Sequence, residues 1–181
     1  MREAIFSALE SWGLIEGCRV LDLYAGSGAL GLEAASRGAS EVTLVEKNAG
    51  AAQVASRNTR TVLGAFTRAG SSAGSAPRIE VVRQSVQSYL DGVRSGLRDP
   101  EPLWDAVLLD PPYDLGETEL TANLAALVPL VAADGVVLVE RSSRSPEPTW
   151  PEGLALLREK RYGETALWWA EPSAAVQSAV P

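Results

Sequence analysis

Two short stretches of the chain combine residue types that could bind a ligand and act on it. The first is a glycine-rich loop, Gly26-Ser27-Gly28, which follows an apolar run ending at Leu23. Glycine lets the backbone turn sharply and lie close to a ligand, because it tolerates angles that a side chain forbids. A second apolar run, 42–45, ends in Glu46, whose carboxylate could accept hydrogen bonds from both hydroxyls of a ribose. The order of strand, glycine loop, helix, strand and acid predicts a βαβ unit that binds a nucleoside.

The second stretch is Asp110-Pro111-Pro112-Tyr113, which directly follows the apolar run 103–109. The prolines lack N–H groups, so they present carbonyl oxygens without competing donors. Asp110 adds acceptor oxygens, and Tyr113 adds an aromatic face on which a base can stack. Hydrogen bonds from an exocyclic amino group to Asp110 and to the Pro111 carbonyl would favour a pyramidal nitrogen and direct its lone pair. An ordinary tight turn at the end of a strand is the alternative explanation.

Composition excludes several other kinds of chemistry. The 181 residues contain no histidine, which removes the commonest general base, the serine–histidine triads and histidine zinc sites. The single cysteine, Cys18, excludes an internal disulfide and a cysteine metal cluster, so we expect no metal. The net charge of −7 argues against non-specific nucleic-acid binding by the whole chain. No apolar run approaches the length of a membrane span, and we expect a cytoplasmic protein with no membrane partner.

Hydrophobic patterning predicts one α/β domain over residues 1–171, in which strands alternate with helices and a hairpin closes the sheet. The predicted strands are 18–24, 41–47, 79–82, 103–109, 135–140, 154–161 and 165–170. The predicted helices are 1–12, 30–37, 48–63, 86–93 and 118–130. Small polar residues predict a mobile loop over 67–77, and residues 172–181 a disordered tail. A turn is predicted at Asp134-Gly135, just before the fifth strand.

The spacing of these residues resembles two motifs of one enzyme class. Asp22 lies four residues before Gly26, and Asp-x-x-x-Gly-x-Gly resembles motif I of the class I methyltransferases that use S-adenosylmethionine. In these enzymes an acid near the loop can help to hold the ammonium of the cofactor. The tetrapeptide beginning at Asp110 resembles motif IV of amino methyltransferases. The series Gly26-x-Gly28-x-x-Gly31 also matches the dinucleotide fingerprint, which leaves a nicotinamide-dependent reductase as an alternative.

A narrower resemblance covers roughly residues 1–170. Residues 2–6, 20–40, 45–48 and 108–113 are similar to the RsmD family of bacterial 16S ribosomal RNA guanine-N2 methyltransferases. The resemblance implies a Rossmann-like α/β fold with helices on both faces of a seven-stranded, mostly parallel sheet. Its strand order would be 3-2-1-4-5-7-6, with strand 7 antiparallel. It also implies a monomer that acts on 16S RNA within the small ribosomal subunit or its late precursor.

The same resemblance assigns roles to individual residues. The residues that it implies for S-adenosylmethionine are Asp22, Tyr24, Ala25, Gly26, Ser27, Gly28, Glu46, Lys47, Ser85, Val86 and Asp110. The catalytic residues would be Asp110, Pro111, Pro112 and Tyr113. Tyr113 would also contact the substrate, as would Arg141 and Arg144, which follow the predicted fifth strand.

Two departures from the family pattern accompany these assignments. Many class I members have an acid at the position of Ser85, and the basic arm that this family carries before the position of Arg2 is expected to be absent. Three other functions share part of the pattern. They are an N6-adenine methyltransferase, a protein-glutamine N5 methyltransferase and a non-catalytic ribosome-assembly factor.

Overall fold

A computed structural model describes residues 1–96 and 103–174 of the protein. Its strands are β1 Arg19–Leu23, β2 Glu41–Val45, β3 Arg78–Val82, β4 Trp104–Leu109, β5 Val131–Ser142, β6 Leu154–Tyr162 and β7 Thr165–Pro172. Its α-helices are α1 Arg2–Ser11, α2 Ala29–Ser36, α3 Ala49–Ala69, α4 Val86–Arg94 and α5 Glu117–Leu127. The strands form one sheet in the order β3-β2-β1-β4-β5-β7-β6, with β7 antiparallel to both of its neighbours. The predicted fold and strand order are confirmed.

The central strands are mostly apolar and almost wholly buried, because helices cover both faces of the sheet. Alternate residues of a strand point to opposite faces. Leu21 of β1 and Val107 of β4 pack with the helices α4 and α5. Val20 and Leu108, one residue away, pack with α1 and α2 on the other face. The carboxyl ends of β1, β2 and β4 therefore open together at one edge of the sheet.

Two predicted boundaries are wrong. The helix α3 continues to Ala69, so the first part of the predicted loop 67–77 is helical, and residues 70–73 form a short 3-10 turn. The predicted turn at Asp134-Gly135 lies inside β5, which begins at Val131. Residues 132–135 interrupt the regular pairing of β5 with β4. Val131 pairs with Trp104, and regular pairing resumes between Ala106 and Val136. Only the neighbouring strand could reveal that pairing.

The remaining boundaries lie close to their predicted places. The helix predicted over 118–130 ends at Leu127 and is followed by a 3-10 turn at residues 128–130. The strand β7 includes Pro172, the first residue of the predicted tail, and the rest of that prediction from residue 175 lies outside the described residues. In the described part of the chain, no helix has the length and hydropathy needed to cross a bilayer.

Candidate active site

A cavity of about 520 Å³ opens at the carboxyl ends of β1, β2 and β4. Its size lies within the range of ordinary small-molecule sites. The residues that line it are Tyr24, Gly26, Val45, Glu46, Lys47, Ser85, Val86, Asp110, Pro112, Asp114, Leu115 and Glu119. Seven of the eleven residues predicted to bind the cofactor therefore meet in one place.

The loop after β1 has an unusual backbone. Tyr24, Gly26 and Gly28 all have positive φ angles, of 59°, 57° and 83°. A positive φ is costly for a residue with a side chain, and such residues cluster at functional sites. A residue of α5 fixes the Tyr24 side chain, because the Tyr24 hydroxyl oxygen accepts a hydrogen bond from the buried Asn123 at 2.5 Å. A Cβ at Gly28 would lie 2.8 Å from the Leu44 side chain, so this turn requires glycine.

Glu46 connects the end of β2 to the glycine loop. One carboxylate oxygen accepts a hydrogen bond from the backbone N–H of Gly26 at 3.0 Å, and the other accepts from Asn48 N–H at 2.7 Å. Each carboxylate oxygen has a second lone pair, so both can still accept a ligand hydroxyl. Glu46 therefore positions the loop and also presents acceptors to the cavity.

Asp22 lies beneath the loop and does not line the cavity. Its carboxylate is buried and accepts a hydrogen bond from the Gly31 N–H at 2.9 Å, which fixes the first turn of α2. The pKa of Asp22 is raised to about 7, mainly by burial and also by the charges of Asp110 and Glu46, against the lowering effect of the Gly31 hydrogen bond. The structure thus gives Asp22 a positioning role below the loop. Its predicted contact with the cofactor stays a prediction.

Three other predicted cofactor residues, Ala25, Ser27 and Gly28, belong to the loop but do not line the cavity. The carbonyl of Ser27 accepts a hydrogen bond from the Asn58 side chain of α3 at 3.0 Å, which fixes the outer side of the loop. Ser85 does line the cavity, and its hydroxyl oxygen caps α4 by accepting from Ser88 N–H at 3.1 Å. Its hydroxyl hydrogen remains able to donate to a ligand.

The charge of the cavity discriminates between the two candidate cofactors. Four carboxylates line it, two of which the sequence analysis missed, Asp114 and Glu119. The lining contains one cationic side chain, that of Lys47. An acidic lining favours a cationic ligand and repels a pyrophosphate. The residues present therefore suit S-adenosylmethionine, with its sulfonium and ammonium, better than a nicotinamide dinucleotide.

A second cavity, of about 280 Å³, adjoins the first. Its lining residues are Asp110, Pro111, Pro112, Tyr113, Glu140, Arg141, Ser142, Ser145 and Thr165. Asp110 and Pro112 line both cavities. Ligands bound in the two cavities would therefore approach each other beside these two residues. Tyr113 is 89% exposed, which is the arrangement expected of a ring that stacks on an incoming base. The four residues predicted to be catalytic all line the second cavity, and two of them, Asp110 and Pro112, also line the first.

The second cavity contains an acid that the sequence analysis missed. Glu140 lies near the carboxyl end of β5, half-buried beside Asp110. Burial raises the pKa of Glu140 to about 7, with a smaller contribution from the charge of Asp110. Burial also raises the pKa of Asp110. The sequence did contain a signal for Glu140, because this acid is the last residue of the predicted strand 135–140.

The two predicted RNA-binding arginines have different surroundings. Arg141 lies within β5, so the prediction that it follows the fifth strand is wrong. Its guanidinium is buried and donates to the Leu115 carbonyl at 3.1 Å and to the Glu117 carboxylate at 2.7 Å. This places Arg141 in the wall of the second cavity as a link to α5. Arg144 follows β5 and is exposed, outside the lining of either cavity, and its contact with RNA stays a prediction.

The sheet order, the glycine loop facing an acid at the end of β2, and the Asp-Pro-Pro-Tyr segment directly after β4 define a class I methyltransferase. The chain belongs to the family described as Conserved hypothetical protein 95, whose model matches residues 1–171. Ribosomal RNA small subunit methyltransferase D of Escherichia coli K12 is 33% identical over 166 residues, covering 92% of this chain and 73% of the relative. The predicted resemblance to RsmD is confirmed.

Two further comparisons agree with this assignment. The Haemophilus influenzae ribosomal RNA small subunit methyltransferase D is 30% identical over 163 residues, covering 90% of this chain and 75% of that relative. The solved structure of the Escherichia coli protein yhhF superposes with a TM-score of 0.74 at 30% identity. That match covers 96% of this chain and 85% of the solved one.

Proposed function

We propose that this protein transfers a methyl group from S-adenosylmethionine to the exocyclic N2 of a guanine in 16S ribosomal RNA of the small subunit. The observation that carries the proposal is the junction of the two cavities at Asp110 and Pro112. A methyl donor in the first cavity and a base in the second would meet at that junction. The small-subunit methyltransferases that this chain resembles support the choice of RNA.

The first cavity would hold the cofactor. Glu46 would accept hydrogen bonds from the ribose hydroxyls, and Ser85 and Val86 would lie beside the adenine. The carboxylates of Asp114 and Glu119 would compensate the positive charge of the ammonium at its amino-acid end. When bound, S-adenosylmethionine supplies a methyl group on a positively charged sulfur. The residues of the cavity bind and orient that group.

The second cavity would hold the target base. The lone pair of an exocyclic amine is delocalised into the base ring, so the amine is a poor nucleophile. Asp110 and the Pro111 carbonyl would accept hydrogen bonds from its two N–H groups and keep the nitrogen pyramidal, while Tyr113 would stack on the ring. The nitrogen must also lose a proton as it gains the methyl group. The raised pKa of Asp110 suits its carboxylate to accept that proton.

The location, oligomeric state and substrate form of the protein are also part of this proposal. We place the protein in the cytoplasm as a monomer without a metal, acting on assembled small subunits or a late precursor. Exposed arginines that could make phosphate contacts occur after β5, at Arg144, and within residues 48–96, at positions 57, 60, 68, 78, 83 and 94. These contacts would align the RNA strand with the exposed ring of Tyr113.

The test compares the protein with its Asp110→Ala variant on undermethylated small subunits and labelled S-adenosylmethionine. Mass analysis of the digested RNA identifies the methylated nucleoside. Loss of one preorganised polar partner costs about a hundred- to a thousand-fold in turnover. We expect that loss for Asp110→Ala, with cofactor affinity nearly unchanged in calorimetry. Asp134→Ala, which removes an exposed acid at the opposite end of β5, is the matched control.

Two results would contradict the proposal. Turnover of Asp110→Ala within a few-fold of the parent protein would remove Asp110 from catalysis. Methylation of adenine, or of protein in place of RNA, would replace guanine N2 as the acceptor. The second result would favour the N6-adenine or glutamine N5 activities that share the Asp-Pro-Pro-Tyr segment.

A further inference from the structure

Glu140 is placed to read the edge of the base that Asp110 holds. Leu109 of β4 pairs with Val139 of the parallel strand β5, so Asp110, just after β4, lies beside Glu140, which is still within β5. Neighbouring strands lie about 4.8 Å apart. Both residues line the second cavity. Two carboxylates are therefore presented together to whatever enters that cavity.

The fold gives Glu140 no hydrogen-bonding partner among the described residues, although the charge of the N-terminal ammonium acts to lower its pKa. Within residues 1–96 and 103–174, its carboxylate makes no hydrogen bond or ion pair, and the nearby guanidinium of Arg141 is directed to Leu115 and Glu117. A half-buried acid beside a second acid is unfavourable for stability unless a ligand supplies donors. Its surroundings therefore indicate a ligand that carries hydrogen-bond donors.

Guanine carries two such donors side by side. Its N1 and its exocyclic N2, which are both bonded to C2, bear hydrogens, so this part of the base edge presents two neighbouring donors. Adenine differs, because the ring nitrogen next to its amino group is an unprotonated acceptor. In its ionised form, a carboxyl group facing that nitrogen would be repelled and left without a hydrogen bond.

We propose that Glu140 accepts a hydrogen bond from N1–H of the target guanine, while Asp110 and the Pro111 carbonyl accept from N2. Glu140 is then the residue that selects guanine over adenine at the shared Asp-Pro-Pro-Tyr segment. This inference rests on the proposed function, since it assumes a purine amine at Asp110. It adds a recognition role for a residue that no motif of the sequence assigned.

The test uses a base that keeps the amine but lacks the N1 hydrogen. Small subunits are reassembled from 16S RNA with either guanine or 2-aminopurine at the methylated position, which is first located by mass analysis. A hydrogen bond to a charged group corresponds to about a ten- to a hundred-fold change. We expect the parent protein to prefer guanine by at least that factor in kcat/KM. 2-aminopurine also lacks the oxygen at C6, so a variant is needed to isolate the N1 contact.

Glu140→Gln is that variant, because it keeps the shape of the side chain and removes its charge. We expect it to lose activity on guanine and to reduce the preference over 2-aminopurine by about ten-fold or more, with cofactor affinity unchanged in calorimetry. Glu152→Gln, which changes an exposed acid outside both cavities, should behave as the parent. The same rates on guanine and 2-aminopurine subunits, or a full preference retained by Glu140→Gln, would overturn the role of Glu140. Failure of the parent to methylate guanine at all would instead overturn the proposed function, and the inference with it.

Discussion

Replacing Gly31 by alanine tests how closely the glycine loop is packed against the sheet. Gly31 is the third residue of α2, and a Cβ built there would lie 2.3 Å from Leu44 Cδ2, 3.0 Å from Val42 Cγ1 and 3.1 Å from Asp22 Cβ. The three neighbours are buried and cannot turn away into solvent. Extra atoms in a packed core cost about 1–3 kcal/mol, whereas alanine gains about 1 kcal/mol over glycine inside a helix. We expect net destabilisation of up to about 2 kcal/mol.

Gly92 of α4 provides the matched control, because a Cβ there meets no atom within 4 Å. Gly92→Ala should gain the helix propensity without the packing cost, so it should stabilise the protein by up to about 1 kcal/mol. The difference between the two variants isolates the packing cost, about 1–3 kcal/mol. Urea unfolding measures it directly, and each kcal/mol should shift Tm by about 2–4 °C for a chain of this length.

The same pair of variants connects packing to cofactor binding. The Gly31 N–H donates to Asp22, and this bond fixes the start of α2 directly after the loop. If α2 moves to admit a methyl group, the loop at Gly26 moves with it. Calorimetry with S-adenosylmethionine should therefore show weaker binding for Gly31→Ala and normal binding for Gly92→Ala. Equal stability and equal affinity of the two variants would refute the close packing inferred here.

Two further predictions concern the cavities. Glu46→Ala should weaken S-adenosylmethionine binding by about ten- to a hundred-fold, since a charged hydrogen bond contributes about 1.5–3 kcal/mol. Unchanged affinity in calorimetry would remove Glu46 from the site, and Glu16→Ala serves as an exposed control. Tyr113→Ala should raise KM for small subunits, whereas Tyr113→Phe should be mild because stacking uses the ring and not the hydroxyl. Equal loss in both Tyr113 variants would mean that the hydroxyl acts in its place.

The sequence by itself determined the elements that form the site. The strand run before Gly26 and the run before Asp110 are apolar on both faces, and this property depends only on residue type and order. Asn48 was predicted to begin α3, and its side chain caps that helix by accepting a hydrogen bond from Ala51 N–H. Such signals are local, so they could be interpreted without knowledge of the neighbours. The strand order came from the family resemblance, which the structure confirmed.

Tertiary structure decided which side chains face the ligand cavities and which support them. Asp22 and Arg141 were both predicted to contact ligands, and these contacts stay predictions. In the structure, Asp22 accepts a hydrogen bond from Gly31 under the loop, and Arg141, in the wall of the second cavity, donates to Leu115 and Glu117. Arg141 and Glu117 are 24 residues apart in sequence, and no local pattern connects them.

Glu140 was not predicted to contact a ligand, yet it lines the second cavity. Its position beside Asp110 depends on the pairing of β4 with β5. The physical reason is the same in each case. Burial and hydrogen-bond partners are set by residues that are distant in sequence, whereas helix and strand formation follow from residues close along the chain.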